Sequence, residues 1–199
     1  GAAFYAAMPG ASPEFYDRAD AALTGTALRE FRRWAPGDGH EWTAEQEIVG
    51  LDRWGELIGL YLPGLHNPFV KARGHVATEL RSLPALQPRA CHRDFHEGQL
   101  LLSGATCGLI DFDTWCAADP ALDAGNFAAH IRLWELRTGR DASAFEESFL
   151  AAASMGMGED FGARIAVWKR AALLRLAAIY GFTSEPREGE ARLLSEAGA

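Results

Sequence analysis

Two short apolar runs in the middle of the chain, residues 99–102 and 106–110, are separated only by Ser103-Gly104-Ala105. Runs of that length around a Gly-bearing turn predict a β-hairpin. The segments on both sides have helical spacing, so the fold has to seat one small β element within a helical frame. Polar residues crowd both ends of the hairpin. Cys91-His92-Arg93-Asp94-Phe95-His96-Glu97-Gly98 leads in, and Asp111-Phe112-Asp113 leads out. A hairpin returns the chain to where it started, so Gln99 and Asp111 are expected to be neighbours.

The flanks read as follows. Residues 13–34 predict a helix with Phe15, Ala22, Leu28 and Phe31 among its apolar positions, ended by Pro36-Gly37-Asp38-Gly39. Thr43 and Gln46 have the spacing of a capping box. The helix they open carries Ile48, Leu51, Ile58 and Tyr61 on one face, and Pro63-Gly64 is expected to stop it. A further helix is expected over 68–83, stopped by Pro84, followed by a short extended stretch at 89–91. After the hairpin, Asp119-Pro120 predicts a helix start, with Asp as N-cap and Pro first in the helix. Phe127, Ile131 and Trp134 share its face, and Thr138-Gly139 closes it. Helices are expected over 142–154 and 160–180, the second with Ile165, Trp168, Ala172, Leu176 and Ile179 in register, and a short one over 186–196. The fold class is therefore mostly α with a small β-hairpin region (α+β). No repeat or linker divides residues 1–199, which read as a single unit.

Composition narrows the function. The formal net charge is −8 over 199 residues, which argues against a nucleic-acid partner, because that binding neutralises phosphates with Lys and Arg. The 48% hydrophobic and 23% charged content is that of an ordinary globular protein. Cys91, Cys107 and Cys116 form no CxxC pair, which predicts reduced thiols in a cytoplasmic protein rather than a zinc site. No apolar run reaches membrane-spanning length, and no basic start marks a signal peptide.

The chemistry concentrates between His92 and Asp113. His92-Arg93-Asp94 matches the start of the kinase signature H-R-D-L-x-x-x-N, with Phe95 for Leu and Gln99 for Asn. Asp111-Phe112 matches the start of D-F-G, with Asp113 for Gly. Phosphoryl transfer requires positioning and charge neutralisation more than covalent help. Asp94 is the candidate to face the attacking hydroxyl. Gln99 and Asp111 are the candidates to present hard oxygens to Mg²⁺.

The region of about residues 90 to 130 resembles the aminoglycoside phosphotransferase and choline kinase-like family, whose loop has the form H-x-D-x-H-x-x-N, followed by I-D and a G-D-P-x-x-D-like stretch. The matching residues are His92, Asp94 and His96, then Ile110-Asp111, then Asp119-Pro120 and Asp123. The resemblance implies a protein kinase-like C-terminal lobe with its catalytic loop and metal hairpin at 90–113. It implies Asp94 as catalytic base, Gln99 and Asp111 as metal ligands, and Asp123 as a brace on the loop. Mg²⁺ with ATP or GTP would be the cofactors, and the acceptor a small hydroxylated molecule.

Two departures accompany the resemblance. Gln99 keeps the amide oxygen of Asn but adds a methylene. The family's N-terminal β lobe, with its glycine-rich loop and nucleotide-gripping lysine, is not expected in this chain, whose two lysines are Lys71 and Lys169. That lobe is expected from further sequence in cis or from a partner, a dimer included. The alternatives are a degenerate kinase-like lobe acting as a binding or regulatory module and, more weakly, a metal-dependent hydrolase. Among the supporting residues, His92 is expected to pack under the loop and bond to backbone. Arg93 suits either phosphate contact or a structural role. His96 is expected to shape the loop, in preference to touching substrate. Asp113 is an open candidate for a second metal contact, on the premise that a strand returns it to the face of Asp111. Asp119 is expected as an N-cap, and His130 and Trp115 as core residues.

Overall fold

The structure is a computed structural model that describes residues 10–15, 17–34, 40–182 and 188–198. Among the described residues, seven helices and five short strands follow in the order α1 (Arg18–Phe31), β1 (Glu41–Trp42), α2 (Ala44–Tyr61), α3 (Pro63–Ser82), β2 (Arg89–Cys91), β3 (Leu100–Ser103), β4 (Thr106–Leu109), β5 (Cys116–Ala118), α4 (Leu122–Thr138), α5 (Ser143–Ser154), α6 (Phe161–Gly181) and α7 (Glu188–Ala197). The mostly helical class with a small hairpin holds. The turn expected at 36–39 and the expected start of the last helix at Pro186 lie outside the described residues.

Local chemistry accounts for most boundaries. Asp17 caps α1, its carboxylate accepting from the Ala19 amide at 2.7 Å, so the helix begins later than residue 13. Thr43 caps α2 in the expected box: the Gln46 side chain accepts from the Thr43 amide at 2.7 Å, and the Thr43 hydroxyl accepts from the Gln46 amide at 3.3 Å. Pro63 behaves differently from expectation. It does not only stop α2; it occupies the first turn of α3, where a missing N–H costs nothing, and Pro68 lies inside the helix it was expected to open. Asp119 is likewise not the N-cap of α4, which starts at Leu122. It forms a turn one step earlier, accepting from the Ala121 amide at 2.9 Å.

The core runs between the helices through Leu28, Ile48, Leu51, Phe69, Val76, Phe127, Ile131, Phe149 and Leu174, all buried. Burial broadly matches the expected faces, but Ala22 and Trp134 are only half-buried, and Tyr61 and Ile179 are exposed. Two glycines set how closely helices approach. A β-carbon on Gly25 of α1 would lie 2.5 Å from the Phe149 carbonyl oxygen of α5, and one on Gly125 of α4 would lie 2.6 Å from the Trp168 β-carbon of α6.

The strands position the polar segment. β5 lies between β1, to which it is parallel, and β2, to which it is antiparallel, with Cys91 opposite Cys116. The chain leaving β2 at Cys91 and the chain entering β5 at Cys116 therefore emerge side by side. The β3–β4 hairpin pairs Leu100 with Leu109 and Ser103 with Thr106. Ala11 extends it through a bridge to Leu102. Both polar stretches, before β3 and after β4, thus come to one end of the molecule.

Candidate active site

The loop from His92 to Gln99 is pinned at several backbone atoms. Asp123, in the first turn of α4 and fully buried, accepts from the His92 amide at 2.7 Å and the Arg93 amide at 2.8 Å. Burial raises its pKa, against the lowering pull of those two amides. Asn126, one turn further along α4, donates to the Phe95 carbonyl at 3.0 Å. Thr114 donates its hydroxyl to the His92 carbonyl at 2.7 Å. His92 itself is buried under the loop, with Nε2 2.8 Å from the Ile110 carbonyl oxygen, as its sequence context suggested. That bond ties the His92–Gln99 loop to the far end of the hairpin.

Three side chains converge at this junction. The Gln99 amide nitrogen is 3.2 Å from Asp94 Oδ2 and 3.5 Å from Asp111 Oδ2. Gln99 and Asp111 meet because the Ile110 amide donates to the Gln99 carbonyl at 3.0 Å and closes the base of the hairpin. Arg93 and Asp111 are the two non-glycine residues with positive φ among the described residues, at 70° and 61°. Such backbone geometry costs about 1–3 kcal/mol and clusters at functional sites. The Asp94 carboxyl is lowered to about 2, first by the hydrogen bond from His96 and also by the Gln99 amide. The same contact with Asp94 raises the His96 imidazole above its ordinary range. His96 also shapes the loop, its Nδ1 accepting from the Gly98 amide at 3.1 Å.

Other expectations change on folding. Asp113 lies in a 3-10 turn (Phe112–Thr114), not on a strand, so the two-residue period that placed it beside Asp111 does not apply; its side chain is exposed. Asp119 is held by Arg164, whose Nη2 lies 2.7 Å from Oδ2, tying the turn before α4 to α6. Arg93 stacks its guanidinium 3.7 Å from the centre of the Trp42 ring. Trp115 is not core: it is 39% exposed. With Phe31, Trp34, Leu109 and Phe112 it lines an apolar groove of about 630 Å³ between α1 and the hairpin. Lys71 sits on α3 beside Leu65 and Leu194, and Lys169 is paired with Glu146 at 2.5 Å.

Near the loop, Asn126 was not anticipated from sequence, and His130 was expected only as a core residue. Asn126 holds the Phe95 carbonyl, and His130 stacks on His96 with ring centroids 4.8 Å apart. Burial lowers the His130 pKa to about 3, but the ring faces the His92–Gln99 loop rather than the core. The signal was present: Asp123, Asn126 and His130 are spaced i, i+3, i+7, which puts them on one helical face.

The oxygen donors available at the junction, the Gln99 amide and the Asp111 carboxylate, suit Mg²⁺, which takes hard oxygen ligands and keeps several waters. The close approach of Gln99 to both carboxylates fits one ion held there, once the amide turns its oxygen toward it.

Residues 2–174 match the profile of the phosphotransferase enzyme family, and the chain belongs to that family. No curated protein sequence matches it significantly. Among solved structures, a choline/ethanolamine kinase family protein from Mesorhizobium loti superposes with a TM-score of 0.69 at 16% identity, over 96% of this chain and 71% of that one. An amicoumacin kinase solved with AMP-PNP, Ca²⁺ and its ligand Ami also gives 0.69, at 17% identity, over 96% of this chain and 63% of that one. An ethanolamine kinase from Plasmodium vivax gives 0.57 at 13% identity, over 96% and 62%. The fold is that of the C-terminal portion of these kinase-like structures, and the chain spans roughly two thirds of their length. No helix among the described residues is long and apolar enough to cross a membrane.

Proposed function

We propose that this chain carries the acceptor- and metal-addressing half of a small-molecule kinase, which transfers the γ-phosphate of ATP or GTP to a hydroxyl. The observation that carries the reading is the convergence of Asp94, Gln99 and Asp111 on a loop whose neighbouring backbone atoms are held by Asp123 and Asn126. Asp94 faces the incoming hydroxyl, accepts its hydrogen bond and aligns its oxygen with the phosphorus. A carboxylate with a pKa of about 2 is a weak base. That suits phosphoryl transfer, where the transition state is loose and orientation counts for more than early proton removal. His96 keeps the carboxylate ionised and turned. Gln99 and Asp111 are the proposed holders of Mg²⁺, which when bound neutralises charge on the nucleotide phosphates. Neither Lys71 nor Lys169 sits at this junction, so the grip on the phosphates is assigned to chain or partner beyond these residues. The choline, ethanolamine and amicoumacin named for the structural relatives indicate the size of acceptor to try first.

An acceptor screen read by ADP release, together with calorimetry of ATP and GTP in the presence of Mg²⁺, tests this. Asp94→Asn is expected to lower turnover by about 10²–10⁴-fold with an unchanged circular dichroism spectrum. Turnover within a few-fold of wild type in that variant would remove Asp94 from the role. Asp111→Ala is expected to abolish the Mg²⁺ dependence of nucleotide binding, and a magnesium titration identical to wild type would remove Asp111.

A further inference from the structure

The loop and α4 assemble a second group of donors beside the first. His96 and Glu97 come from the loop and His130 from α4. The two imidazoles are nearly parallel, at 13° between planes. Glu97 Oε2 lies 3.6 Å from His130 Nδ1 and 3.8 Å from His96 Nδ1. That oxygen is buried and has no hydrogen-bond partner. A buried carboxylate oxygen without a donor is costly and calls for an explanation. Both separations are too long for hydrogen bonds. They do approach the spacing of ligands around one ion: metal–ligand bonds of about 2.1 Å in a tetrahedron set neighbouring ligand atoms about 3.4 Å apart. All three donor atoms fall within 4.8 Å of one another, and small side-chain shifts bring them inside the roughly 4.2 Å that two bonds of about 2.1 Å can span.

We propose that His96, Glu97 and His130 form a binding site for a divalent transition-metal ion of the zinc class. Two imidazoles and one carboxylate are a donor set suited to zinc, whereas Mg²⁺ prefers oxygen alone. The site is therefore chemically distinct from the Gln99–Asp111 pair. Coordination through His96 Nδ1 replaces the hydrogen bond that this atom now accepts from the Gly98 amide. It leaves His96 Nε2 facing Asp94 Oδ2 at 3.5 Å. A metal-bound imidazole that directs its other N–H to a carboxylate is the arrangement that fixes ring orientation in many metal sites. The His96 and Glu97 side chains are 24% and 38% exposed, which gives an ion a path from solvent and leaves its fourth position to water. An ion bound there ties the loop to α4 through the ring that orients Asp94.

The test uses the purified protein with Co²⁺ as a spectroscopic probe and Zn²⁺ calorimetry. One equivalent of Co²⁺ is expected to give the intense visible absorption of low-symmetry coordination; Zn²⁺ bleaches it and excess Mg²⁺ does not. His130→Ala and Glu97→Gln are each expected to weaken Zn²⁺ binding by at least about tenfold, while Asp111→Ala leaves it unchanged. Thermal melts monitor folding; if His130→Ala does not fold, Glu97→Gln alone decides. No Co²⁺ absorption in wild type, or unchanged Zn²⁺ affinity in the folded variants, overturns the site. Because the readout is metal binding without nucleotide, its failure is separable from failure of the phosphotransfer reading.

Discussion

Asp94 is positioned through its neighbours. The amides of His92 and Arg93 are held by Asp123, and the carbonyl of Phe95 is held by Asn126. The backbone is fixed on both sides of Asp94 while the carboxylate stays partly open, touched only by His96 and Gln99 among the contacts described above. The left-handed backbone at Arg93 is the cost of turning the loop there, and the stacking of its guanidinium on Trp42 helps offset it. The cysteines shift in the direction opposite to Asp94. Burial pushes the Cys107 and Cys116 thiols up to about 11, and pushes fully buried Cys91 up as well. A raised thiol pKa means less thiolate at neutral pH and slower alkylation. Iodoacetamide labelling of Cys107 in the native protein is therefore expected to rise about tenfold per pH unit through pH 9. A rate that levels near pH 8.5, where an ordinary thiol titrates, would show that the shift is absent.

At the scale of elements, α4 does the most positioning. One of its faces presents Asp123, Asn126 and His130 to the His92–Gln99 loop, and another meets α6 at Gly125. An added β-carbon at Gly125 would lie 2.7 Å from the Lys169 backbone nitrogen as well as 2.6 Å from the Trp168 β-carbon. Neither atom belongs to the flexible end of a side chain, so the helices themselves have to move. Gly125→Ala is accordingly expected to destabilise the protein by about 1–3 kcal/mol, measured by urea unfolding, and to disturb the loop that α4 supports. Stability equal to wild type would mean that the two helices do not approach as closely as described. The capping box at Thr43 and the closure of α4 at Gly139 followed from local sequence. Pro63 did not, because proline suits both the end of one helix and the first turn of the next, and only the packing of α3 selected the second.

Across the whole molecule, the site is joined to distant helices by one polar chain. The Trp42 indole donates to Glu47 at 2.9 Å, Arg175 of α6 pairs with Glu47 of α2, and Arg175 donates to the Asn126 oxygen at 2.6 Å. Asn126 then holds the Phe95 carbonyl. Glu47 is buried, so removing its cation strands a charge away from water. Arg175→Met is expected to lower stability by about 2–3 kcal/mol, below the usual cost of breaking a fully buried pair because the arginine is partly exposed. A melting temperature within a degree of wild type would show that the network carries little. A double-mutant cycle with Glu47→Gln measures the coupling directly.

The sequence by itself determined the helical frame, the hairpin and the order of His92, Asp94, Gln99, Asp111 and Asp123, because these depend on period, turn chemistry and spacing over short stretches of chain. It also determined that Gln99 and Asp111 would meet, since a hairpin closes on itself. Only the tertiary structure decided what crosses between elements. It put Asp119 against Arg164, turned His130 toward His96, exposed Trp115 and Asp113, and brought Glu47 and Arg175 together across 128 positions of sequence. Those contacts depend on how helices with several apolar or neutral faces pack on one another. A periodic pattern shows that a face exists; it does not say which distant residue will lie against it.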